Sequence, residues 1–257
     1  MLLYAPLVVG DTTARLQQVM LAEDLSTQAN LDDVLAGQLA FNPIPPHTPI
    51  HLGYSDSAFW LRVQVANPED QAVTRWLVIG QPRIRHIDLY EQKNGQWQET
   101  RGGMAVPFST RVFPTLSQIF ELNLPAHSTQ TVYVRVASET VIVMQPGLWK
   151  PEQFLRFEWQ TERVVYFTSG ILLLALIFGL LLTLFARDPA FLVYGFAVFF
   201  YMLVILTVSG LAYRELWPNS PEWALHALVF FQAISMVMLL LLHKLLLKVT
   251  LDRKSVV

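Results

Sequence analysis

Apolar and polar residues alternate along the N-terminal part of the chain. In "AFWLRVQVAN", at residues 58–67, Phe59, Leu61, Val63 and Val65 fall on one face of an extended strand. A period of two predicts a strand with one buried face. Further short alternating runs, separated by turn residues, fill residues 12–152. This spacing predicts an all-β extracytoplasmic domain, a β-sandwich or a jelly roll.

The last part of the chain follows a different pattern, with long apolar segments at residues 164–186, 190–213 and 224–247. A helix needs about 20 apolar residues to cross the hydrocarbon core of a bilayer. Each segment therefore predicts a transmembrane helix in contact with membrane lipid. Residues 153–163 are expected to be a linker, and residues 248–257 a cytoplasmic tail that continues beyond this sequence.

The ends of these segments carry helix signals. Asp188 is placed to cap the second helix, with Pro189 at its first position. For the third helix, Asn219 or Ser220 is placed to cap, and Pro221 to begin it. Glycines inside the apolar segments are expected to permit close helix approach, and they are Gly170, Gly179, Gly195 and Gly210.

Basic residues give the orientation of the helices. One side of the predicted membrane has Arg187, Lys244, Lys248, Arg253 and Lys254, and the other has Arg163 and Arg214. The positive-inside rule then places the C-terminus in the cytoplasm and the β domain outside. The N-terminal lead-in, residues 1–11, has no basic n-region and no clear cleavage site, so we expect that a signal peptide is missing from the sequence.

The alternation also defines a polar face of the β domain. If Leu61, Ile87 and Val134 point inward, their neighbours point outward. These outward residues are the candidate ligand-binding set, namely Trp60, Arg62, Asp88, Tyr90, Tyr133 and Arg135. Aromatic faces beside polar donors suit a sugar, whose C–H face stacks on a ring. A solvated sheet face with cross-strand pairs gives the same pattern, and both interpretations stay open.

Composition removes several classes of function. The formal net charge is −2, without a dense basic cluster before the C-terminus, which argues against nucleic acid as a partner. The absence of cysteine excludes thiol nucleophiles and zinc-thiolate sites. Pro49 separates His47 from His51 and prevents the helix that would align them on a metal. The carboxylates are scattered, with no pair suited to glycoside hydrolysis, so we expect neither an enzyme nor a cofactor.

Several motifs occur in an order that resembles a known family. They are Trp60-Leu61-Arg62, Leu89-Tyr90, Trp97, Pro107-Phe108, Arg111 and Tyr133-Val134-Arg135. The chain resembles the extracellular sensor domain of bacterial seven-transmembrane receptors with diverse intracellular signalling modules. The apolar part is similar to the start of that family's seven-helix region, with Arg187-Asp188 and Trp217-Pro218 in place. Through this resemblance, Arg111 joins the ligand-binding candidates.

The resemblance implies a periplasmic jelly-roll domain similar to carbohydrate-binding modules, in a protein of the bacterial inner membrane. It also implies a seven-helix bundle and a cytoplasmic signalling domain, such as a diguanylate cyclase, histidine kinase or phosphatase. The sequence contains three of the helices and no output domain, so we expect a fragment of a longer receptor. The alternative is a periplasmic protein-interaction module on a membrane anchor. A homodimer and the identity of the ligand stay open.

Overall fold

The structure is a computed structural model that describes residues 14–45, 48–80 and 82–247. The chain divides into two compact units, Met1–Glu158 and Trp159–Val257. The N-terminal lead-in, His47 and the C-terminal tail at residues 248–257 lie outside the described residues. The expectations for those segments therefore remain predictions.

The described part of the first unit consists of strands, one short α-helix, a 3₁₀ turn at Phe108–Thr110 and the first residues of a long helix. The strands are β1 (Arg15–Asp24), β2 (Asn42–Ile44), β3 (Ile50–Gly53), β4 (Ala58–Asn67), β5 (Val73–Gly80), β6 (His86–Lys93), β7 (Gln96–Gly102), β8 (Ile119–Leu124), β9 (Ser128–Ala137) and β10 (Ile142–Trp149). The helix, α1, is Leu31–Leu35. Asn30 caps it by accepting the Asp33 N–H, while the Asp33 carboxylate accepts the Asn30 N–H.

The strands form two antiparallel sheets. Sheet A has the order β2-β1-β4-β9-β6-β7, and sheet B has the order β3-β10-β5-β8. Their apolar faces share one core, which includes Leu61 and Val63 of β4, Leu77 of β5 and Val134 of β9. This confirms the predicted β-sandwich, and β4, β6 and β9 bury the faces that their alternation assigned to the core.

The hairpin between β6 and β7 shows how local sequence fixes the register. Asn94 and Gly95 form its two-residue loop, with φ angles of 52° and 80°. Both angles are positive, as a type I′ turn requires, and Asn-Gly adopts them readily. Lys93 therefore pairs with Gln96, and the register sets Tyr90 opposite Glu99.

The outer face of sheet B is covered by the start of helix α2 (Pro151–Ala186). Phe154 is buried among Trp76, Val78 and Ile119, and it contacts the Trp149 ring edge-on at 5.7 Å. Residues 153–163, predicted as a linker, belong to this helix. In its first turns Phe154 and Phe157 fall on one side and pack against the sheet.

The second unit contains the rest of α2, with α3 (Pro189–Val208), α4 (Leu211–Glu215) and α5 (Pro221–Leu246). Three of these helices, α2, α3 and α5, are long and apolar enough to cross a membrane. Asp188 caps α3 by accepting the Ala190 N–H at 2.8 Å, and Pro189 is the first residue of α3, as predicted. Pro221 begins α5, as predicted, but the Ser220 side chain makes no capping hydrogen bond.

The second apolar segment is not one helix. Ser209 caps the end of α3, and Gly210 follows with a φ of 84°, in the left-handed region. The chain then begins the short helix α4, so residues 211–213 lie outside the spanning helix that the sequence predicted. Gly210 ends a helix here because glycine adopts positive φ without the penalty of a side chain.

Close helix contacts occur where small residues allow them. A Cβ added to Gly179 of α2 would lie 2.8 Å from Cδ1 of Tyr194 in α3, so a larger residue would require the Tyr194 ring to move. A Cβ added to Gly195 would be in ordinary contact with Leu176, whereas one added to Gly170 would meet no atom within 4 Å. The prediction of close approach therefore holds at Gly179 and is not supported at Gly170.

Candidate functional site

The chain from Leu25 to Phe41, named here the strap, crosses the outer face of sheet A. Asp24 anchors its start, since its carboxylate accepts hydrogen bonds from the Ser26 N–H and hydroxyl and from the N–H groups of Thr27 and Ala29. Burial alone would raise the pKa of Asp24, but these hydrogen bonds outweigh it and lower that pKa. The anchor is thus stabilised as a carboxylate.

The strap buries Trp60. This residue lies on the predicted outer face, but its side chain is 0% exposed. Ala22 and Val34 pack against the indole, and the Tyr90 ring stacks on it at 5.5 Å. Trp60 therefore forms a second, smaller core beneath the strap. In this arrangement it has no surface to offer a ligand, and a direct contact would require the strap to move.

Arg62 lies two residues after Trp60 in β4, on the same face of sheet A, and Tyr133 lies beside it in β9. Their backbones pair directly, and Tyr133 in turn pairs with Tyr90 of β6. The Arg62 guanidinium stands 5.4 Å from the centre of the Phe41 ring, and one of its amino groups contacts the Met20 sulfur. Its Nε is buried and has no hydrogen-bond partner among the described residues. This guanidinium is held mainly by aromatic and sulfur contacts.

A cavity of about 520 Å³ opens beside Arg62 and Tyr133, between β4, β9, β6 and β7. We name it the groove, and its lining is Arg62, Gln64, Glu91, Gln92, Trp97, Thr129, Gln130, Thr131, Val132 and Tyr133. The Trp97 and Tyr133 rings meet edge-to-face at 5.6 Å. The lining is rich in amide, hydroxyl and charged side chains. Its size falls in the range of small-molecule sites.

Asp88, Tyr90 and Arg135 do not line the groove. Asp88 pairs with Arg135 across the strands, and the Arg135 guanidinium donates to the Thr27 carbonyl at 2.9 Å, which ties the sheet to the strap. Burial raises the pKa of Asp88. Burial, together with nearby Glu99, raises the pKa of Tyr90 to about 12. Arg135 thus holds the strap, while Asp88 and Tyr90 lie on the outer face of sheet A.

Arg111 lies in the loop between β7 and β8. Its guanidinium donates to the carbonyl oxygens of Gly103, Thr115 and Leu116, at 3.1 to 3.4 Å. It also stands 4.7 Å from the centre of the Phe108 ring. Arg111 therefore holds this loop together, and it is not among the residues that line the groove.

The same loop is tied to α2 by a buried carboxylate. Glu158 is 5% exposed, and its Oε1 accepts the N–H groups of Leu116 at 2.7 Å and Ser117 at 3.1 Å. A carboxylate that accepts buried backbone donors makes a strong, charge-assisted link. The first residues of α2, which belong to the first unit, are thus attached to sheet B by Phe154 and to this loop by Glu158.

The structure brings Arg62 and Tyr133 together in the groove and adds residues that sequence reasoning missed. Trp97, Gln92 and Gln64 are the main additions. Trp97 could have been found from alternation in "QWQET", since it pairs with Gln92 across the hairpin. Among the described residues, no group of three or more His, Asp or Glu side chains could hold a metal ion. The groove offers stacking surfaces and hydrogen bonds.

Comparison with known proteins gives two matches to family models. Residues 16–150 match the model described as 7TMR-DISM extracellular 2, and residues 162–256 match the model described as 7TM diverse intracellular signalling. A comparison with curated proteins gives no match. Among solved structures, a GH31 α-xylosidase from Xanthomonas citri is similar over 55% of this chain, with 11% identity and a TM-score of 0.29. The match spans 15% of that enzyme, and so low a TM-score supports no conclusion.

Proposed function

Because the chain belongs to the family of seven-transmembrane receptors with diverse intracellular signalling modules, we propose that its β domain detects a small polyhydroxylated ligand, a glycan, in the groove. The chain is a membrane receptor with an extracellular sensor domain. In the proposal, the bound ligand shifts the helices between two arrangements. A cytoplasmic signalling module, which lies outside this sequence, reads the shift. Such a ligand must bind the two arrangements with different affinity.

The groove is the observation that carries this proposal. Trp97 and Tyr133 supply ring faces, and Arg62, Gln64 and Gln92 supply donors and acceptors around the same cavity. Sugars are bound by that combination, because a C–H face stacks on an aromatic ring while hydroxyl groups take polar partners. The Arg62 guanidinium also favours a sugar that carries an acidic group.

Strand pairing supports a jelly-roll interpretation of the domain. β3 pairs with β10, β4 with β9, β5 with β8 and β6 with β7. This nested pattern is the one expected when a long hairpin folds over into two sheets, as jelly rolls do. Jelly rolls are frequent among lectin domains, so the topology is compatible with a carbohydrate ligand.

The basic residues support a position in the bacterial inner membrane, with the β domain in the periplasm and the C-terminus in the cytoplasm. Arg187 follows α2, and Lys244 lies in the last turn of α5. Both belong to the side that the positive-inside rule assigns to the cytoplasm. In this arrangement the groove faces the compartment where extracellular glycans arrive.

A binding screen tests the proposal. The chain, held in lipid nanodiscs, is titrated by calorimetry with a panel of neutral and acidic oligosaccharides. We expect at least one sugar to bind, and Trp97→Ala to weaken its binding about 5- to 150-fold, since one stacked ring contributes on the order of 1–3 kcal/mol. Tyr54→Ala is the control, because Tyr54 is 79% exposed and outside the groove.

Two results would contradict a glycan site in the groove. One is the absence of binding by any sugar in the panel. The other is equal affinity for the Trp97→Ala variant and the wild-type chain. Cross-linking of the β domain to another periplasmic protein, together with an unresponsive sugar panel, would favour the alternative of a protein-interaction module.

A further inference from the structure

A partly buried ion pair joins α2 to α4 within the second unit. Arg214 donates from Nη1 to Oε1 of Glu162 at 2.7 Å and from Nη2 to Oε2 at 3.0 Å. Nη2 also bonds the Tyr166 hydroxyl at 3.0 Å. The two charged side chains are only 17% and 12% exposed. This two-point geometry is the strongest arrangement available to an arginine and a carboxylate.

Glu215 also bonds Arg214, but it is much more exposed than Glu162. Glu215 accepts from Nε of Arg214 at 2.8 Å, but its side chain is 56% exposed. Exposed pairs of this kind contribute little, because water and salt screen them. The connection between α2 and α4 therefore depends on Glu162 and Tyr166, while Glu215 provides a matched comparison at the same arginine.

Contacts farther along α2 are apolar, and the ion pair lies at some distance from them. The described structure brings α2 against α3 at Gly179, where Tyr194 packs on the bare backbone. Gly179 is 17 residues from Glu162, or about 25 Å along a helix. Between them, Val165 is buried and Leu176 lies beside Gly195 of α3, whereas Leu174 and Phe178 are exposed. The ion pair thus adds a polar connection at the end of α2 that lies far from Gly179.

The region of the chain around Arg214 is itself packed against α5. Trp217, three residues after Arg214, packs against Phe231 of α5 with ring centres 5.9 Å apart. Val204 of α3 and Ala227 of α5 lie in the same apolar cluster. α3, α4 and α5 consequently form one packed group, and Arg214 of that group bonds α2 at Glu162 and Tyr166.

We propose that Glu162, Tyr166 and Arg214 form a lock that fixes the outer end of α2 against the connection between α3 and α5. A signalling displacement of α2 then either carries α3 and α5 with it or breaks the lock. The biological meaning of the lock rests on the proposed receptor function. Its test requires no ligand, so a failure of glycan binding leaves the result on the lock intact.

The chain contains no cysteine, so spin labels can be placed at chosen positions without a background. Val164→Cys and Leu216→Cys put labels on α2 and directly after α4, at residues that are 59% and 53% exposed. The distance between the labels is measured by pulsed electron resonance in nanodiscs. We expect a single narrow distribution of label-to-label distances in the chain that carries the two labels and no other change. In the Glu162→Gln and Arg214→Gln variants we expect this distribution to broaden.

The double variant Glu162→Gln/Arg214→Gln is expected to broaden the distances no further than Arg214→Gln alone, because that single variant already removes the bonds to both Glu162 and Tyr166. Glu215→Gln is expected to keep the narrow distance. Circular dichroism confirms that the helices are retained, which separates loss of position from unfolding. If a neutral variant does not fold, Glu162→Asp replaces it, and its shorter carboxylate is expected to shift the distance. Unchanged distances in these variants, or equal broadening by Glu215→Gln, would overturn the lock.

Discussion

The sharpest stability prediction concerns Trp60, the buried residue beneath the strap. Truncation to alanine leaves a cavity between Val34, Ala22 and Tyr90, because the indole fills that space completely. Trp→Ala changes in cores cost about 3–5 kcal/mol. Part of the loss is the stacked Tyr90 ring, since aromatic pairs contribute about 0.5–1.5 kcal/mol beyond burial.

This cost is large for a single domain, whose total stability is about 5–15 kcal/mol. For a domain of this size, it corresponds to a fall in Tm of about 10–20 °C. Trp60→Phe is expected to cost less than Trp60→Ala. The phenyl ring keeps the stack on Tyr90, and the change removes the buried Nε1–H, which has no hydrogen-bond partner among the described residues.

Thermal unfolding of the chain in nanodiscs, followed by far-UV circular dichroism, measures these effects. Trp97→Ala is the matched control, because it removes the same side chain from a partly exposed edge strand. It is expected to cost only about 1 kcal/mol, mainly its ring contact with Tyr133. If Trp60→Ala melted within a few degrees of the wild-type chain, the buried position of Trp60 and the role of the strap would be wrong.

Three further changes test separate parts of the structure by chemical denaturation. Asp24→Ala is expected to lower the free energy of unfolding by about 1–3 kcal/mol. Because the folded-state pKa of Asp24 is lowered, its contribution to stability is present above its ordinary pKa of 3.8 and is lost as pH falls through the folded-state value. An Asp24→Ala variant with the same acid stability as the wild-type chain would refute this. Gly103→Ala is expected to cost about 2–5 kcal/mol of stability, since its φ is 93° and a Cβ would collide with the Arg85 carbonyl. Gly95→Ala is the control, because Gly95 has open space around it, and it is expected to cost about 1–2 kcal/mol. Equal losses of stability in the two variants would contradict the collision. Glu158→Ala is expected to cost about 2–4 kcal/mol because two N–H groups lose their acceptor, whereas Glu158→Gln, which retains one oxygen acceptor, is expected to lose less.

The sandwich and its inner face followed from the sequence because alternation reports burial directly. Val63 and Val134, for example, lie in the core as predicted. The type I′ hairpin at Asn94-Gly95 was also readable, since the turn depends on only two residues. Such features are local, and each strand carries its own signal.

The sequence did not predict that the strap covers the outer face of sheet A or that the start of α2 covers the outer face of sheet B. Alternation placed Trp60 on the outer face correctly, but it contains no information about the strap, which crosses that face from elsewhere in the chain. The start of α2 was missed for the same reason. Phe154 and Glu158 fell within the predicted linker, and their partners on sheet B and in the Thr115–Ser117 loop are distant in sequence.

The most direct test of the central claim is hydrogen exchange on the chain in nanodiscs, with and without a sugar that binds it. A glycan in the groove predicts slower exchange in β7 and in the part of β9 around Thr131 and Tyr133, because these segments line the cavity. The β7–β8 loop around Arg111 does not line it and provides the internal comparison. Unchanged exchange in β7 and β9, with protection confined to other segments, would contradict a sensor that binds its ligand in the groove.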